Sequence, residues 1–513
     1  MKISRRAALK TSGVALGALA MGRGAERAFA QRSVEGSCYP DANYATDSQE
    51  YSYFNKLKNS APLALYTPLK NNEMRISFMG STIPMARRAQ AEMSIFVEVG
   101  PWVPSGQPGT SETYDPYGRA TDSIMFDIGP GSSTNYTSMG IAFRKMDKLF
   151  LTHLHGDHMG DLPQVYCFGP SSDRKSPMYI WGPGPSGVRS PMPPRRLYDD
   201  GTRAFCQNFR EAMRWHTESF SFQNTAYASY RDNMPTQEIW GTPRRLKPVS
   251  DDLPYDGFAI IPIELDWTEF GGVAYNNAQT GVKITHFPVI HCRKGSIGYK
   301  LEWNGLSMIF TGDTKPEWDS VKLACSGDKP LDVFIHEMIV PPDVWAMKFM
   351  GLPAPLDGNP SFDKAVADVA MVQNSSHSPQ GAFGYLLSQI NPLPRLTVAT
   401  HFPVSDDTVE CALNSVKAHI SDIGNLGDKI VWSFDAMAIR VFAGDPKPAI
   451  QQQVVSPISD FCFSPISSTP TDLLPPKYHN ADGTGDAYAQ IDRSTQIEQT
   501  NANGTQNWCD SGY

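Results

Sequence analysis

Apolar and polar positions alternate in short runs along the middle of this chain, and most runs end in a polar, glycine-bearing turn. Such runs read as buried strands. Met74 to Thr82, Glu92 to Val99 and Ser123 to Gly131 are the first three. Lys148-Leu149-Phe150-Leu151 is a fourth and runs into Thr152-His153-Leu154-His155-Gly156-Asp157-His158. The next runs are Ala259 to Leu265, Val282 to His291, Ser296 to Trp303 and Leu306 to Phe310. Asn304-Gly305 between the last two is a two-residue hairpin turn. Further strands are expected at Leu331 to Ile335, Arg395 to Thr400, Lys429 to Phe434 and Ala438 to Phe442. Helices are expected from Met159 onward, within Thr202 to Phe220, after Thr314, and over Ser378 to Ile390. Strands mixed with helices across both halves make this an α/β chain.

The flanks have a different texture. Residues 1–30 carry Arg5-Arg6 in a basic start, a small apolar run, and Ala28-Phe29-Ala30. This reads as a twin-arginine export signal with an A-x-A cleavage site, too short to span a membrane. It implies the twin-arginine machinery as a partner and a periplasmic or secreted location. Residues 31–73 read as an N-terminal arm, 74–445 as the folded domain, and 446–513 as an extended tail. Within the domain, Pro/Gly-punctuated residues from about 183 to 282 read as an insertion near the active-site mouth. Trp215, His216 and Glu218 there are more simply packing and solvated groups than substrate contacts.

Formal charge is −8, and cleavage after residue 30 leaves the remainder near −13. That balance speaks against nucleic acid as the main partner and for a small molecule. The eight cysteines have no Cys-x-x-Cys spacing. An oxidising compartment would permit staples among Cys38, Cys462 and Cys509. Cys292 reads as a ligand or, more simply, as a buried free thiol. A homodimer is compatible with the sequence.

The chemistry concentrates at His153-x-His155-x-Asp157-His158. The chain has only 11 histidines, so three in six residues are not a chance surface loop. Imidazole and carboxylate are ligands that suit zinc, and iron or manganese less selectively. His153 and His155 share a face of an extended segment. Gly156 then permits a tight turn, after which Asp157 and His158 face a second point. Asp127, at the end of the third strand, either orients a metal histidine or merely closes a turn.

His-x-His-x-Asp-His after a strand resembles the signature of the metallo-β-lactamase superfamily. The resemblance covers residues 74–182 and 283–445, and it implies a four-layer αββα sandwich. It also implies that His153, His155 and His291 hold one divalent ion. Asp157, His158 and His401 would hold a second, and Asp313 would bridge them. Two zinc ions fit best, with iron or manganese as substitutes. His336-Glu337, His377-Ser378, Thr400-His401-Phe402 and Ser296-Ile297-Gly298-Tyr299 resemble the ribonuclease Z and arylsulfatase-like branch.

In that branch a histidine at the place of His377 lies near the leaving group. His377, with Glu337 to orient it, His336 and the ligand Asp157 are therefore the catalytic candidates. Only 21 residues separate His291 from Asp313, so the tRNA-gripping arm of that branch has no room. Arg293 and Lys294 either receive a sulfate or phosphate ester or are solvated turn charges. The expected activity is hydrolysis of a small anionic ester, phosphodiester or sulfate, by a hydroxide generated at a dinuclear site. Ribonuclease Z-like RNA cleavage, lactone or β-lactam hydrolysis, and non-hydrolytic metal binding are the alternatives.

Overall fold

The computed structural model describes residues 69–84, 90–100, 122–139, 141–172, 174, 176–219, 240–249, 256–352, 355–404, 406–420, 429–445 and 448–452. The export signal, most of the N-terminal arm, Cys38, Cys462, Cys509 and nearly all of the tail lie outside them.

The first half of the chain supplies β1 (Met74–Gly80), β2 (Ser94–Val99), β3 (Asp122–Phe126), β4 (Lys148–Phe150), β5 (Met178–Pro183) and β6 (Ile260–Leu265). The second half supplies β7 (Gly272–Asn276), β8 (Lys283–Pro288), β9 (Ile297–Trp303), β10 (Leu306–Phe310), β11 (Val333–Glu337), β12 (Leu396–Thr400) and β13 (Ile430–Trp432). The chain then returns with β14 (Met437–Val441) and β15 (Ala449–Gln452). One sheet runs β15-β14-β1-β2-β3-β4-β5-β6, the other β13-β12-β11-β10-β9-β8-β7. Both mix parallel and antiparallel pairs.

Strand alternation sorts the first sheet's side chains into two faces. Ile95, Val97, Ile124, Phe126, Phe150 and Trp181 join the core shared with the second sheet. Phe126 and Phe150 each lie within 5.6 Å, centroid to centroid, of Tyr299 on β9, so the two sheets meet there directly. The alternate residues Phe96, Met125, Leu149 and Ile180 point the other way. They pack with Tyr136 of α1 (Ser132–Ser138), past the short turn α2 (Gly156–Met159), and with Val165 of α3 (Leu162–Phe168). Beyond them α4 (Thr202–Ala212) crosses between β5 and β6, and α5 (Arg214–Ser219) comes next. The second sheet is covered by α6 (Trp318–Ala324), then, after α7 (Pro342–Phe349) and α8 (Pro360–Ser376), by α9 (Gln380–Ser388) and α10 (Asp406–His419). The architecture is a helix–sheet–sheet–helix sandwich, with both sheets buried on both faces.

The expected insertion over 183–282 needs correction, because it contains an edge strand of each sheet. β6 pairs in parallel with β5, and β7 pairs antiparallel with β8. Only the stretch between β5 and β6 departs from the sheets. The tail also begins later than expected: β15 pairs with β14 before the described chain ends. The hairpin turn is as expected, since Asn304 and Gly305 have φ of 49° and 74° and Trp303 pairs with Leu306. Among the described residues no helix is long and apolar enough to cross a membrane.

Candidate metal centre

The ends of the sheets nearest α2 bring the histidines together. His153 and His155 leave β4 in extended conformation, and a single helical turn then carries Asp157 and His158. Gly156 starts that turn without a positive φ, and a Cβ there would meet nothing within 4 Å. Its expected role as a permissive turn residue therefore falls away. His291 lies just past β8, Asp313 just past β10 and His401 just past β12. Parallel neighbours β10, β11 and β12 end at the same edge, so the residues just past these strands face one place.

Two ligand groups result. Donor atoms of His153, His155 and His291 lie within 4.8 Å of one another, and so do those of Asp157, His158, Asp313 and His401. In the first group His155 Nδ1 is 3.0 Å from His291 Nε2. In the second, His158 Nε2 lies 3.4 Å from Asp157 Oδ2 and 3.2 Å from Asp313 Oδ1. His401 Nε2 lies 3.3 Å from Asp157 Oδ2 and 3.5 Å from Asp313 Oδ2. Asp313 Oδ2 is also 3.8 Å from His291 Nε2, so this carboxylate faces both groups.

Three observations fit these residues to divalent cations. His153 Nε2, His158 Nε2 and Asp313 Oδ1 are buried without a hydrogen-bond partner, an arrangement that is costly unless something else binds there. Burial holds His153 well below the usual histidine pKa and lowers His291 to about 3, so the first group is neutral and offers lone pairs. In the second group burial opposes charge on His158, but Asp313, Asp157 and Asp127 outweigh it and hold its pKa well up. Asp313 is held well below the carboxylate range, against the effect of burial, by His401 and His158. Clustered carboxylates of this kind favour positive charge, which a bound ion would supply in place of the His158 proton.

Support around the ligands fixes their tautomers. Asp127 accepts from His158 Nδ1 at 2.7 Å and from the Thr152 amide and hydroxyl at 2.8 Å each. The Thr152 hydroxyl in turn accepts from His153 Nδ1 at 3.1 Å. One aspartate thus sets a histidine of each group, that of the first group through Thr152, which the sequence reading passed over. His291 Nδ1 donates to the Ser376 carbonyl, the last residue of α8, at 2.9 Å. No side-chain pattern reveals that backbone partner.

Beside the ligands, His377 Nδ1 donates to Glu337 at 2.9 Å, stacks on His401 and lies 3.9 Å from Asp313 Oδ2. Burial opposes its charge, but the Glu337 carboxylate prevails and pushes its pKa up to about 9. His377 caps the end of α8; the next helix, α9, opens at Gln380. His336 must be withdrawn from the candidates. It neighbours Glu337 within β11, so its side chain points to the opposite face. There it packs between Phe334 and Phe383 and bonds the Glu337 carbonyl.

Beside His153, His155 and His291 opens a cleft of about 410 Å³, walled by the 183–208 stretch and the loop after His291. Arg293 is taken up by an ion pair with Asp200, itself held by Ser186, and packs over Tyr198. That leaves Lys294 and Asp199 as the other Lys, Arg, Asp or Glu residues lining the cleft. His216 Nε2 donates to the Cys167 carbonyl of α3 at 2.9 Å, and its ring packs on Phe168 and Phe258, so it is a packed group and not the solvated one expected. Cys292 is exposed rather than buried, with its sulfur 3.4 Å from His155 Nε2.

This helix–sheet–sheet–helix sandwich, with candidate ligands gathered at one strand-end edge, is the architecture that the sequence resemblance implied. Among curated proteins, the chain is similar to a ribonuclease Z of Anoxybacillus flavithermus, 27% identical over 225 residues, which are 42% of this chain and 63% of the relative. It is also similar to a ribonuclease BN of Escherichia coli, 40% identical over 67 residues, or 13% of this chain and 21% of that one. A ribonuclease Z of Treponema denticola is 31% identical over 65 residues, again 21% of its length. The chain thus spans about a fifth of the length of most of these curated relatives. No family model matches it. Similar solved structures include the metallo-beta-lactamase fold protein YhfI of Bacillus subtilis, with TM-score 0.40 and 11% identity, covering 72% of this chain and 100% of that one. Human short-form tRNase Z has TM-score 0.35 and 16% identity, covering 71% and 98%.

Proposed function

We propose that this protein is a metal-dependent hydrolase of a small anionic ester, with a phosphodiester ahead of a sulfate ester as the substrate class. The observation that carries the reading is the division of seven ligands into two groups that share Asp313. Two bound divalent ions would supply a nucleophile from water at neutral pH and clamp the attacked group.

The protein's own residues do the rest. His153, His155 and His291 would hold one ion, beside the cleft; Asp157, His158 and His401 would hold the other; Asp313 faces both groups. Asp157 is both ligand and catalytic candidate, and it acts through its binding of the second ion. Glu337 fixes the His377 ring through Nδ1, which leaves Nε2 to hold a proton for the departing alkoxide or phenolate. The Arg293–Asp200 pair walls the cleft, so the anionic centre of the substrate is received at the two metal sites and not by Arg293. A cleft of this volume suits a small molecule.

A hydrolysis panel tests the reading: bis-p-nitrophenyl phosphate, p-nitrophenyl sulfate, a homoserine lactone, nitrocefin and a precursor tRNA. The expected outcome is turnover of the phosphodiester that stops with a chelator and returns with zinc or manganese. Turnover of only the lactone or nitrocefin would overturn it. The curated similarities favour a second reading, cleavage of RNA in the manner of ribonuclease Z; turnover of precursor tRNA well above the small diester would establish that instead. The acidic balance of the chain supports the first.

A further inference from the structure

Four of the five ligand histidines have a ring nitrogen engaged outside the second ligand group's carboxylates: His153 by Thr152, His158 by Asp127, His291 by the Ser376 carbonyl, and His155 against the Cys292 sulfur. His401 is different. Its Nε2 faces Asp157 and Asp313, while its Nδ1 is buried with no hydrogen-bond partner. No hydrogen bond holds the ring through its far side, so its direction rests on the His377 ring stacked against it and on the backbone that carries it. That backbone is in the left-handed region, with φ of 56° on a residue that carries a Cβ. Such a conformation persists only where the surroundings enforce it.

The enforcing contacts come from the far end of the sequence. The Phe402 amide donates to the Ser81 carbonyl at 3.1 Å. Gln90 Nε2 donates to the Phe402 carbonyl at 3.1 Å and to the Ser81 hydroxyl at 3.0 Å. The Val404 amide donates to Gln90 Oε1 at 2.9 Å. Ser81 is anchored in turn, its hydroxyl donating to Asp435 at 2.9 Å. Gln90 is completely buried, and its two amide ends span the segment just past His401. The orientation is unambiguous, because a carbonyl can be met only by the NH₂ and an amide N–H only by the oxygen.

We propose that Gln90 is the positioning residue for the second ion: it fixes the left-handed His401 backbone and thereby aims Nε2 at Asp157 and Asp313. The proposal rests on the dinuclear reading. It assigns to Gln90, on the segment leading into β2, control over occupancy of one site of the two. Partners beyond the direct ligands affect metal affinity by about 10- to 100-fold.

Cobalt(II) titration of the metal-free protein, followed by visible absorption, tests this. Wild type should take up two equivalents, and the phase missing in Asp157→Asn marks the second ion. Gln90→Ala should bind the first equivalent as wild type does and the second at least about tenfold more weakly. Gln90→Glu, which keeps the acceptor for Val404 and loses the donor, should fall between. Equal weakening of both phases, together with a lower melting temperature of the metal-free protein, would make Gln90 a general structural residue and overturn the proposal. Unchanged binding of both equivalents would overturn it too. Should Gln90→Ala not fold, Gln90→Glu carries the test with the same criteria. A folded wild type that binds fewer than two equivalents would overturn the dinuclear reading, and the clamp with it.

Discussion

Asp313 is the residue on which both ligand groups depend, since its carboxylate is close to His158 and His401 on one side and His291 on the other. Asp313→Ala should therefore lose both ions and all activity together, measured as metal content and turnover. His377 is held by Glu337 instead, so His377→Ala should keep both ions. It should lower kcat by about 10²–10⁴-fold on an ester with a poor leaving group, and much less on a p-nitrophenyl ester. Metal loss in His377→Ala, or full activity on the poor leaving group, would remove its proposed role. His336→Phe should retain metal and kcat, because its ring already sits between Phe334 and Phe383. The ligands are legible in the sequence because each type of donor stands where a strand ends. His336 misleads because adjacency in sequence means opposition across a strand. Thr152 does carry a signal: a hydroxyl directly before the first ligand, at the end of the strand next to the one that ends at Asp127.

At the scale of elements, most strands are readable from apolar runs; the buried central strand β5, beside the glycine- and proline-rich stretch read as an insertion, is missed, and so are several helices. α8 is the largest omission, although Asn359 caps it through the Ser361 and Phe362 amides and Pro360 opens it. Its 17 residues include a long weakly amphipathic stretch, which hides it from a period-based reading. That helix matters to the site, for its last carbonyl holds His291 and its cap is His377. α10 and the edge strands β7 and β15 are equally hard to see; short edge strands bury fewer residues and leave a weaker pattern. The loop after β10 yields a prediction. Gly312 has φ of 62°, and a Cβ there would sit 2.6 Å from the Thr152 Cβ. Gly312→Ala should push Asp313 away from the Thr152–Asp127 support and lower metal content and activity, while a metal-free melting curve shows a smaller change. Unaltered metal content would mean that the two loops yield more readily than their packing implies.

For the molecule as a whole, each half of the chain builds most of one sheet, and β14–β15 return to complete the first. The site lies where both sheets end, which is why ligands separated by 244 positions, such as Asp157 and His401, come within 3.3 Å. The sequence discloses that only through resemblance, since no local pattern encodes which sheet a strand joins. The same limit explains the 183–282 segment, whose edge strands look like an insertion until both sheets are seen. We further propose export by the twin-arginine route: Arg5→Lys with Arg6→Lys should leave precursor in the cytoplasm, and normal export of that variant would contradict the route. The central claim is the pair of metal ions itself. Elemental analysis of protein purified without chelator tests it most directly. About two divalent ions per chain, removed together with activity by a chelator and restored with it, is the result expected; a folded, active chain holding no metal would contradict the account.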